Sequence, residues 1–286
     1  MVKGFEDKIF NAIVAACLLL VGLSAVLPLM YVFSVSLTPM SEVLKNGGYI
    51  LIPRNVTFVA YEQLLKDPAI PRAFLVTIFI TVVGTIINLA LTTLLAYPLS
   101  RRTLPARRVF LLLVVFTMLF SGGVIPTFLI IQATGLLNTL WAMIVPNAIW
   151  SFNVLIMKSF FERLPEELFE SARIDGAKDF RILMQVALPS SLPAMLTVGL
   201  FYMVGHWNEF YQAIMYITDR ELHPIQLLVR NVLMQSQNPI ANPDVAIPTE
   251  SVQMASVILA CLPIILVYPF IQKYFMQGAI VGSIKG

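Results

Sequence analysis

Charge is scarce in this sequence: only 12% of its 286 residues are Asp, Glu, Lys or Arg, whereas 58% are hydrophobic. A soluble domain of this size carries roughly twice that charged fraction. The formal net charge of +3 is also too small to indicate a nucleic-acid partner. The composition therefore excludes an ordinary soluble domain and predicts an integral membrane protein whose residues 1–286 form a single transmembrane domain.

Reactive side chains are equally few. Cys17 and Cys261 both lie inside apolar stretches without ligand-like neighbours, so neither a disulfide framework nor a metal site is expected. His206 and His223 are the only histidines, and they lack metal-ligand spacing. The sequence contains no glycine-rich loop of the kind that cradles phosphates. We therefore expect this chain to bind no metal, cofactor or ATP itself and to hold no catalytic residue.

Long apolar blocks without charge make up most of the chain: 9–41, 73–100, 109–157, 182–208 and 251–272. Even the shortest would reach about 33 Å as a helix, enough to cross the hydrocarbon core. The block 109–157 is about twice one span, and residues 132–138 offer a turn that divides it. We predict an all-α fold with six transmembrane helices, at about 9–37, 73–100, 108–132, 139–160, 182–216 and 251–273. The first is too long for a signal peptide and lacks an obvious cleavage site.

Lysine and arginine set the expected orientation, because cytoplasmic loops carry an excess of them. With the N-terminus inside, 13 of the 19 Lys and Arg residues fall on inner segments and six on outer ones. The short stretch 101–108, with four arginines, is the strongest anchor. This predicts that both termini and the loop 162–181 are cytoplasmic, and that the long loops 38–72 and 217–250 are outside. Loops of that length without clear structure are usually functional or disordered.

The charged loop 162–181 has a helical pattern of its own. Pro165 suits the first turn of a helix, and Glu166 and Glu167 would lie at the positive end of the helix dipole. Gly176 allows a sharp break that a Cβ would resist. The pattern predicts a helix, a glycine elbow and a second helix at the membrane surface. One small apolar edge of the first helix suits docking in a groove on another protein: Leu168, Phe169 and Ala172. An ordinary amphipathic connector between two spans would explain the same pattern.

The stretch Glu170-Ser-Ala-x-x-Asp175-Gly176-Ala177, followed by Leu188-Pro189, resembles the EAA loop of ABC importer permeases. It departs from that loop at Ser171, where the family has Ala, and at Val186, where Ile is common. In the family this loop is the coupling helix, which fits a cleft on the ATP-hydrolysing subunit. The resemblance implies an ATPase-coupling site formed by Glu166, Leu168, Phe169, Glu170, Ala172, Arg173, Asp175, Gly176, Ala177 and Phe180.

The resemblance extends over nearly the whole chain. The spans, the inside termini and the Gly-rich tail that ends in Lys285-Gly286 are similar to maltose-type (MalG-like) permeases, which implies a MetI/MalG-like permease fold. The stretches 120–126 and 135–141 look like the LplC/YtcP-like branch, which is associated with complex oligosaccharides, including uronate-rich ones such as alginate fragments. Membership would imply a bacterial cytoplasmic (inner) membrane protein. Its partners would be a second, MalF-like permease chain, an extracytoplasmic sugar-binding protein and two ATPase subunits that carry ATP and Mg.

Two further contacts are implied by the same resemblance. In maltose-type permeases the outer loop of one subunit reaches into the binding protein, and here this loop is polar and rich in turn residues. The residues that would make this contact are Gln237, Asn238, Pro239, Asn242 and Pro243. The tail 278–286 corresponds to a family segment that extends to the ATPase pair; a frayed terminus is the alternative.

Polar and aromatic residues within the spans are candidates for the substrate path. Glu209 interrupts an apolar block, and an intramembrane carboxylate must be paired, hydrated or protonated. It could instead be a helix-end carboxylate wetted from outside and paired with Arg220 or Arg230. Amides in spans more often bond helices together, and tryptophans more often anchor at the interface. The candidates are Asn88, Asn147, Trp150, Asn153, Trp207, Asn208, Glu209 and Tyr211.

Other functions remain open from sequence. A permease for another solute class would share every feature above, and an exporter would not depend on a binding protein. An intramembrane enzyme needs a reactive cluster, and Glu209 with His206 is the only near pair. A membrane anchor would show no ATP-dependent transport at all.

Overall fold

The computed structural model describes residues 5–237 and 249–283, and within these ranges the chain is helical. Short 3-10 turns occupy Leu140–Met143, Val145–Asn147 and Arg220–Leu222, and a π-helical turn, Leu183–Ala187, joins two of the α-helices. The α-helices are α1 (Phe5–Ser36), α2 (Met40–Lys45), α3 (Val59–Lys66), α4 (Ala69–Ser100), α5 (Arg107–Leu119), α6 (Val124–Ala133), α7 (Ser151–Phe161), α8 (Glu166–Ile174), α9 (Asp179–Ile182), α10 (Leu188–Ser190), α11 (Leu192–Trp207), α12 (Tyr211–Tyr216), α13 (Ile225–Gln237) and α14 (Glu250–Ser283).

By length and composition, three single helices of the described chain could cross a membrane, and up to six spans result if each of three bent helix pairs counts as one. The single helices are Lys8–Ser36, Ala69–Ser100 and Glu250–Val267. The others are helix pairs bent at a short break: α5 with α6 by 111°, Leu140–Asn147 with α7 by 53°, and Asp179–Ser190 with α11 by 85°. The helices predicted at 108–132, 139–160 and 182–216 are therefore interrupted rather than continuous.

Each bend has a local chemical cause. Between α5 and α6, Gly123 adopts a φ of 87°, a left-handed conformation that only glycine enters at little cost. In the second pair Pro146 lies in the 3-10 turns and cannot donate a helical hydrogen bond. In the third, the π-helical turn and Pro189 precede the break, and Pro193 lies in the first turn of α11. Apolar composition reveals that a segment can span, but not that it is kinked.

Residues 1–70 and 229–262 form one compact unit as far as the structure describes them. Its core contains Val35, Val43 and Ile50, and the hydroxyl of Tyr31 donates to a carboxylate oxygen of Glu250 at 2.6 Å. None of the most apolar stretch of α1 is buried within the chain, as befits a helix that faces lipid or another protein. The loop 38–72, expected to lack clear structure, holds α2 and α3, and the loop 217–250 likewise holds α13.

The described residues of 71–228 and 263–283 form the second unit, which holds the segment 162–181 and all the candidate substrate-path residues. One of its apolar clusters is centred on Phe161, Phe169 and Tyr202, and another on Ile80 and Met143. Helix α4 contributes to both clusters, while α7 packs against α11. These contacts place α8 against the end of α4.

Candidate functional site

Helix α8 begins directly after Pro165, which occupies the N-cap position with a ψ of 132° rather than the first turn. Glu166 and Glu167 fill the first turn as predicted from sequence. Their carboxylates complement the partial positive charge of the helix N-terminus, and Arg173 lies in the last turn, where a cation is favoured. The local sequence therefore stabilises this short helix at both ends.

The predicted glycine elbow is a Schellman motif at the end of α8. Gly176 has a φ of 77°, and its N–H donates to the carbonyl of Arg173 at 3.0 Å. The N–H of Ala177 then donates to the carbonyl of Ala172 at 2.9 Å, which satisfies a second orphan carbonyl of the helix end. Nothing lies within 4 Å of a Cβ built on Gly176, so backbone conformation rather than crowding demands glycine there.

The ten predicted coupling residues lie close together, but they do not share one surface. Ala172 and Ala177 are half-buried against the chain, whereas the side chain of Phe169 is completely buried. Phe169 therefore holds α8 to its own chain, and the apolar docking edge expected from Leu168, Phe169 and Ala172 is not formed as such. The exposed members are Glu166, Leu168, Glu170, Arg173, Asp175, Gly176 and Phe180. Ile174, not singled out from sequence, is 86% exposed beside them.

Two basic residues beside α8 were not singled out from the sequence. Arg101, directly after α4, stacks on the ring of Phe169 and lies 3.4 Å from a carboxylate oxygen of Glu166. Arg107, the first residue of α5, pairs with Glu162 and donates from Nε to the carbonyl of Leu99 at 2.7 Å. The only sequence signal for either was their place in the arginine-rich stretch 101–108, which was used for orientation alone.

A polar cleft of about 520 Å³ opens next to these contacts. Its charged lining has more arginine than glutamate: Arg101, Arg102, Arg107, Arg173, Glu162 and Glu166. The first turn of α8 therefore borders open space instead of packed side chains.

A polar network in the same unit connects α4 with α11. The amide nitrogen of Asn88 lies 3.0 Å from Nε2 of His206, and both side chains are buried. The same nitrogen is 3.4 Å from the carbonyl of Asn147. A Cβ on Gly84 would lie 2.5 Å from His206 Nε2, so glycine leaves the space for the ring. Asn88 thus acts as an interhelical link here, the alternative raised from sequence.

Tyr202 extends this network. Its hydroxyl lies 2.6 Å from Oγ1 of Thr92 and accepts a hydrogen bond from the backbone N–H of Trp150 at 3.0 Å. The Trp150 and Tyr202 rings are 5.0 Å apart, and Trp150 also fills the space beside Gly205. Trp150 is therefore half-buried in helix packing. Tyr202 and Thr92 were missed, and so was the role of His206, because each bonds to a distant part of the chain.

Glu209 lies in the break between α11 and α12, not inside a continuous span. Its carboxylate accepts a hydrogen bond from the N–H of Gln212 at 2.8 Å, in the first turn of α12. The ion pair with Arg220 or Arg230 expected as one alternative does not form. In this region Arg72 pairs with Glu221 instead, at 2.5 Å. Glu209 is thus a half-buried carboxylate at a helix end.

The other path candidates are divided between interior and surface. Asn153 is fully buried, and Trp207 is 7% exposed. Asn208 is exposed and donates to the carbonyl of Val204, and Tyr211 is 50% exposed. Asn147 is exposed, and its amide donates to Gln212 once that side chain is oriented to satisfy its neighbours. Four of the candidates lie near the α11–α12 break: Asn147, Asn208, Glu209 and Tyr211. Asn88 and Trp150 contact His206 and Tyr202 of α11.

The predicted binding-protein contact falls at the edge of the described chain. Gln237 is the last residue of α13. Asn238, Pro239, Asn242 and Pro243 lie outside the described residues, as do residues 284–286 of the tail. The tail from Gly278 is helical in backbone as far as Ser283.

Comparison with known proteins agrees with this architecture. Residues 96–280 match the family described as the binding-protein-dependent transport system inner membrane component. The chain is 42% identical over 286 residues to the polygalacturonan/rhamnogalacturonan transport system permease protein YtcP of Bacillus subtilis, covering 98% of this chain and 100% of that one. It is 43% identical over 270 residues to protein LplC of the same organism, covering 93% and 91% of the two chains.

A solved structure is similar as well. A chain of a bacterial ABC transporter involved in the import of the acidic polysaccharide alginate has a TM-score of 0.86 and 31% identity, covering 95% of this chain and 98% of that chain. The all-helical membrane fold and the permease resemblance predicted from sequence are thereby confirmed. The chain belongs to the family of binding-protein-dependent transport system inner membrane components: it is a multi-pass permease subunit of an ABC importer, a transport subunit that works with an ATPase, a binding protein and a partner permease.

Proposed function

We propose that this permease imports a uronate-containing oligosaccharide. The support comes from two similar proteins whose cargoes share one chemistry. One relative is named for polygalacturonan and rhamnogalacturonan, and the similar solved structure belongs to an alginate importer. Galacturonate and the alginate uronates each carry a carboxylate, so an acidic sugar chain is the common substrate class. The similarity covers nearly the full length of each chain, including the spans that would surround the substrate.

Coupling to ATP hydrolysis runs through α8 and the Gly176 elbow in this proposal. The observation that carries it is the arrangement of α8 and α9: α8 is a short helix closed by a Schellman motif, with Phe169 buried and Glu170 and Ile174 exposed, and Phe180 of α9 is exposed as well. One side is fixed to the permease, and the other is free to fit a cleft on the ATPase. Ile174 of α8 and Phe180 of α9 are 86% and 67% exposed, and apolar side chains grouped among polar ones in this way are typical of a docking surface.

The transporter works by alternating access. A MalF-like chain completes the pore, two ATPase subunits hold ATP and Mg, and the binding protein delivers the sugar from outside. Both termini and α8 are cytoplasmic in this arrangement, as the distribution of lysine and arginine indicates. A ligand shifts such an equilibrium only by binding one state better, so ATP and the loaded binding protein both favour the outward-open state.

The substrate path uses the exposed members of the candidate set. Asn147, Asn208 and Tyr211 present polar or aromatic surface near the α11–α12 break, where sugar hydroxyls can bind and rings can stack. Asn88, Asn153 and Trp207 are buried and support the helices behind them. The loop with Gln237, Asn238, Pro239, Asn242 and Pro243 contacts the binding protein.

Native mass spectrometry of the chain purified from its own membranes in mild detergent tests the assembly. We expect one copy of this chain, one second permease chain, two ATPase subunits and any retained acidic oligosaccharide. Recovery of the chain alone, reproducibly and without ATPase activity, would contradict the proposal and favour a membrane anchor.

A further inference from the structure

Arg101 occupies an unusual place for a charged residue at the end of a span. Its side chain is only 12% exposed, and its guanidinium carbon lies 3.3 Å from the centroid of the Phe169 ring. The centroid of the Tyr97 ring, one turn earlier in the chain, is 4.9 Å from the same carbon. A flat guanidinium near two aromatic rings gains both stacking and cation–π attraction, which a lysine ammonium reproduces only in part.

The same guanidinium also contacts the first turn of α8. Its Nη1 lies 3.4 Å from a carboxylate oxygen of Glu166, whose other oxygen is 3.6 Å from Arg173. Glu166 and Phe169 are three residues apart and therefore lie on one face of α8. Arg101 thus contacts α8 at two points, one ionic and one aromatic, whereas most of the opposite face of the helix is exposed.

The contact between Arg101 and α8 leaves polar atoms without hydrogen bonds. Nε and Nη2 of Arg101 are buried without a hydrogen-bond partner among the described residues. Burying unpaired donors costs free energy, and charged donors cost most. The carboxylate of Glu166, on α8, lines the neighbouring cleft together with Arg101, so a movement of α8 changes its distance from these donors. The contact between Arg101 and α8 is therefore better suited to a helix that changes position than to one that is fixed permanently.

We propose that Arg101 is the positioning residue that transmits movement of α8 to α4. Helix α4 is 32 residues long and ends directly before Arg101. About two to four turns before that end it carries Asn88 and Thr92, which bond to His206 and Tyr202 of α11. A displacement of α8 by the ATPase pulls the end of α4 through Arg101, and α4 carries α11 with it. This inference rests on the proposed coupling role of α8 and adds the route by which coupling enters the spans.

Arg101→Lys tests this route in the complete transporter reconstituted in liposomes. Uptake of a labelled oligogalacturonide and ATP hydrolysis are measured on the same sample. We expect uptake per ATP to fall about tenfold, the size of a typical coupling free energy, while assembly and basal hydrolysis persist. Lysine retains the charge but offers no planar face to the two rings. The control is Arg102→Lys, next in the chain but exposed and without an ion pair among the described residues; its ratio should equal that of the wild type.

Two further variants distinguish a coupling role of Arg101 from a purely structural one. Glu166→Gln removes the ionic contact and leaves the stacking, so its ratio should fall less than that of Arg101→Lys. Phe169→Leu keeps an apolar side chain and removes the ring, and it carries the test where Arg101→Lys fails to assemble. If uptake and hydrolysis fall in proportion in both the Arg101 and Phe169 variants, Arg101 only supports the fold and the proposal is overturned. The proposal is also overturned if uptake per ATP is the same in Arg101→Lys and in a wild-type transporter that couples the two. If the wild-type transporter shows no ATP-dependent uptake at all, the proposed function is contradicted together with this inference.

Discussion

Single residues in this permease are constrained by close approach in one place and by backbone conformation in another. Gly84 on α4 faces the ring of His206, and a Cβ there would lie 2.5 Å from Nε2. At Gly176 no atom is near, but the backbone has a φ of 77°. The two glycines therefore predict different consequences of substitution, one in stability and one in coupling.

Gly84→Ala should destabilise the protein by about 1–3 kcal/mol, the usual cost of overpacking. The added methyl displaces the His206 ring and breaks its contact with Asn88. Thermal unfolding of the detergent-solubilised transporter measures this loss. Gly22→Ala is the control, since nothing lies within 4 Å of a Cβ at Gly22. Equal unfolding temperatures for the two variants would contradict the packing account.

Gly176→Val should lower substrate-stimulated ATP hydrolysis, because a β-branched residue resists the left-handed conformation and opens the Schellman elbow. The matched control is Gly47→Val, at a φ of 65° with nothing within 4 Å, on a segment away from α8 in the chain. It should lose similar stability, of about 1 kcal/mol, and keep its coupling. Normal stimulated hydrolysis in Gly176→Val would refute the role of the elbow.

At the scale of elements, Glu209 stabilises the start of α12. Because its carboxylate accepts the N–H of Gln212, Glu209→Ala should cost about 1 kcal/mol of stability, the usual value of a lost cap. Glu209→Gln keeps an oxygen acceptor, so its uptake and unfolding temperature should stay near those of the wild type. Thermal shift and uptake assays distinguish the two variants. Abolished uptake in a stable Glu209→Gln protein would show that the negative charge itself is needed for transport.

The elements that sequence predicted well are those with a local cause. The start of α8, its acidic first turn and the Gly176 elbow all follow from residues within one short segment. Up to six spans follow from apolar length, whereas their bends depend on single residues such as Gly123 and Pro146, which apolar length does not report. The division of the long apolar block also had a local signal, since α6 ends at Ala133 and Gly135 turns with a φ of 71°.

What sequence could not supply depends on contacts between distant segments. Phe169 was assigned to a docking edge because helical periodicity places it near Leu168 and Ala172, yet the core around Tyr97 and Phe161 buries it. The partners of Arg101 and His206 are likewise far away in the chain. The position of Glu209 could not be predicted either. Its hydrogen-bond partner Gln212 is close in sequence, but the pattern of apolar residues does not predict the helix break in which Glu209 lies.

At the scale of the whole molecule, the chain is one subunit of a larger transporter. None of the most apolar stretch of α1 is buried by the chain itself, and α8 presents exposed apolar side chains. Both features suit a permease that completes its packing against lipid, a second permease and an ATPase. The chain belongs to a family whose members depend on a binding protein, so its cargo is selected in part before it reaches the spans.

The measurement that tests this account most directly is ATP-dependent uptake by the complete transporter in liposomes, with its binding protein outside. A short oligogalacturonide and a neutral maltooligosaccharide of the same length are offered separately. The account predicts saturable, ATP-dependent uptake of the acidic sugar and little of the neutral one, with uptake lost in Gly176→Val. Uptake of the neutral sugar alone would contradict the substrate class, and unchanged uptake by Gly176→Val would contradict coupling through α8.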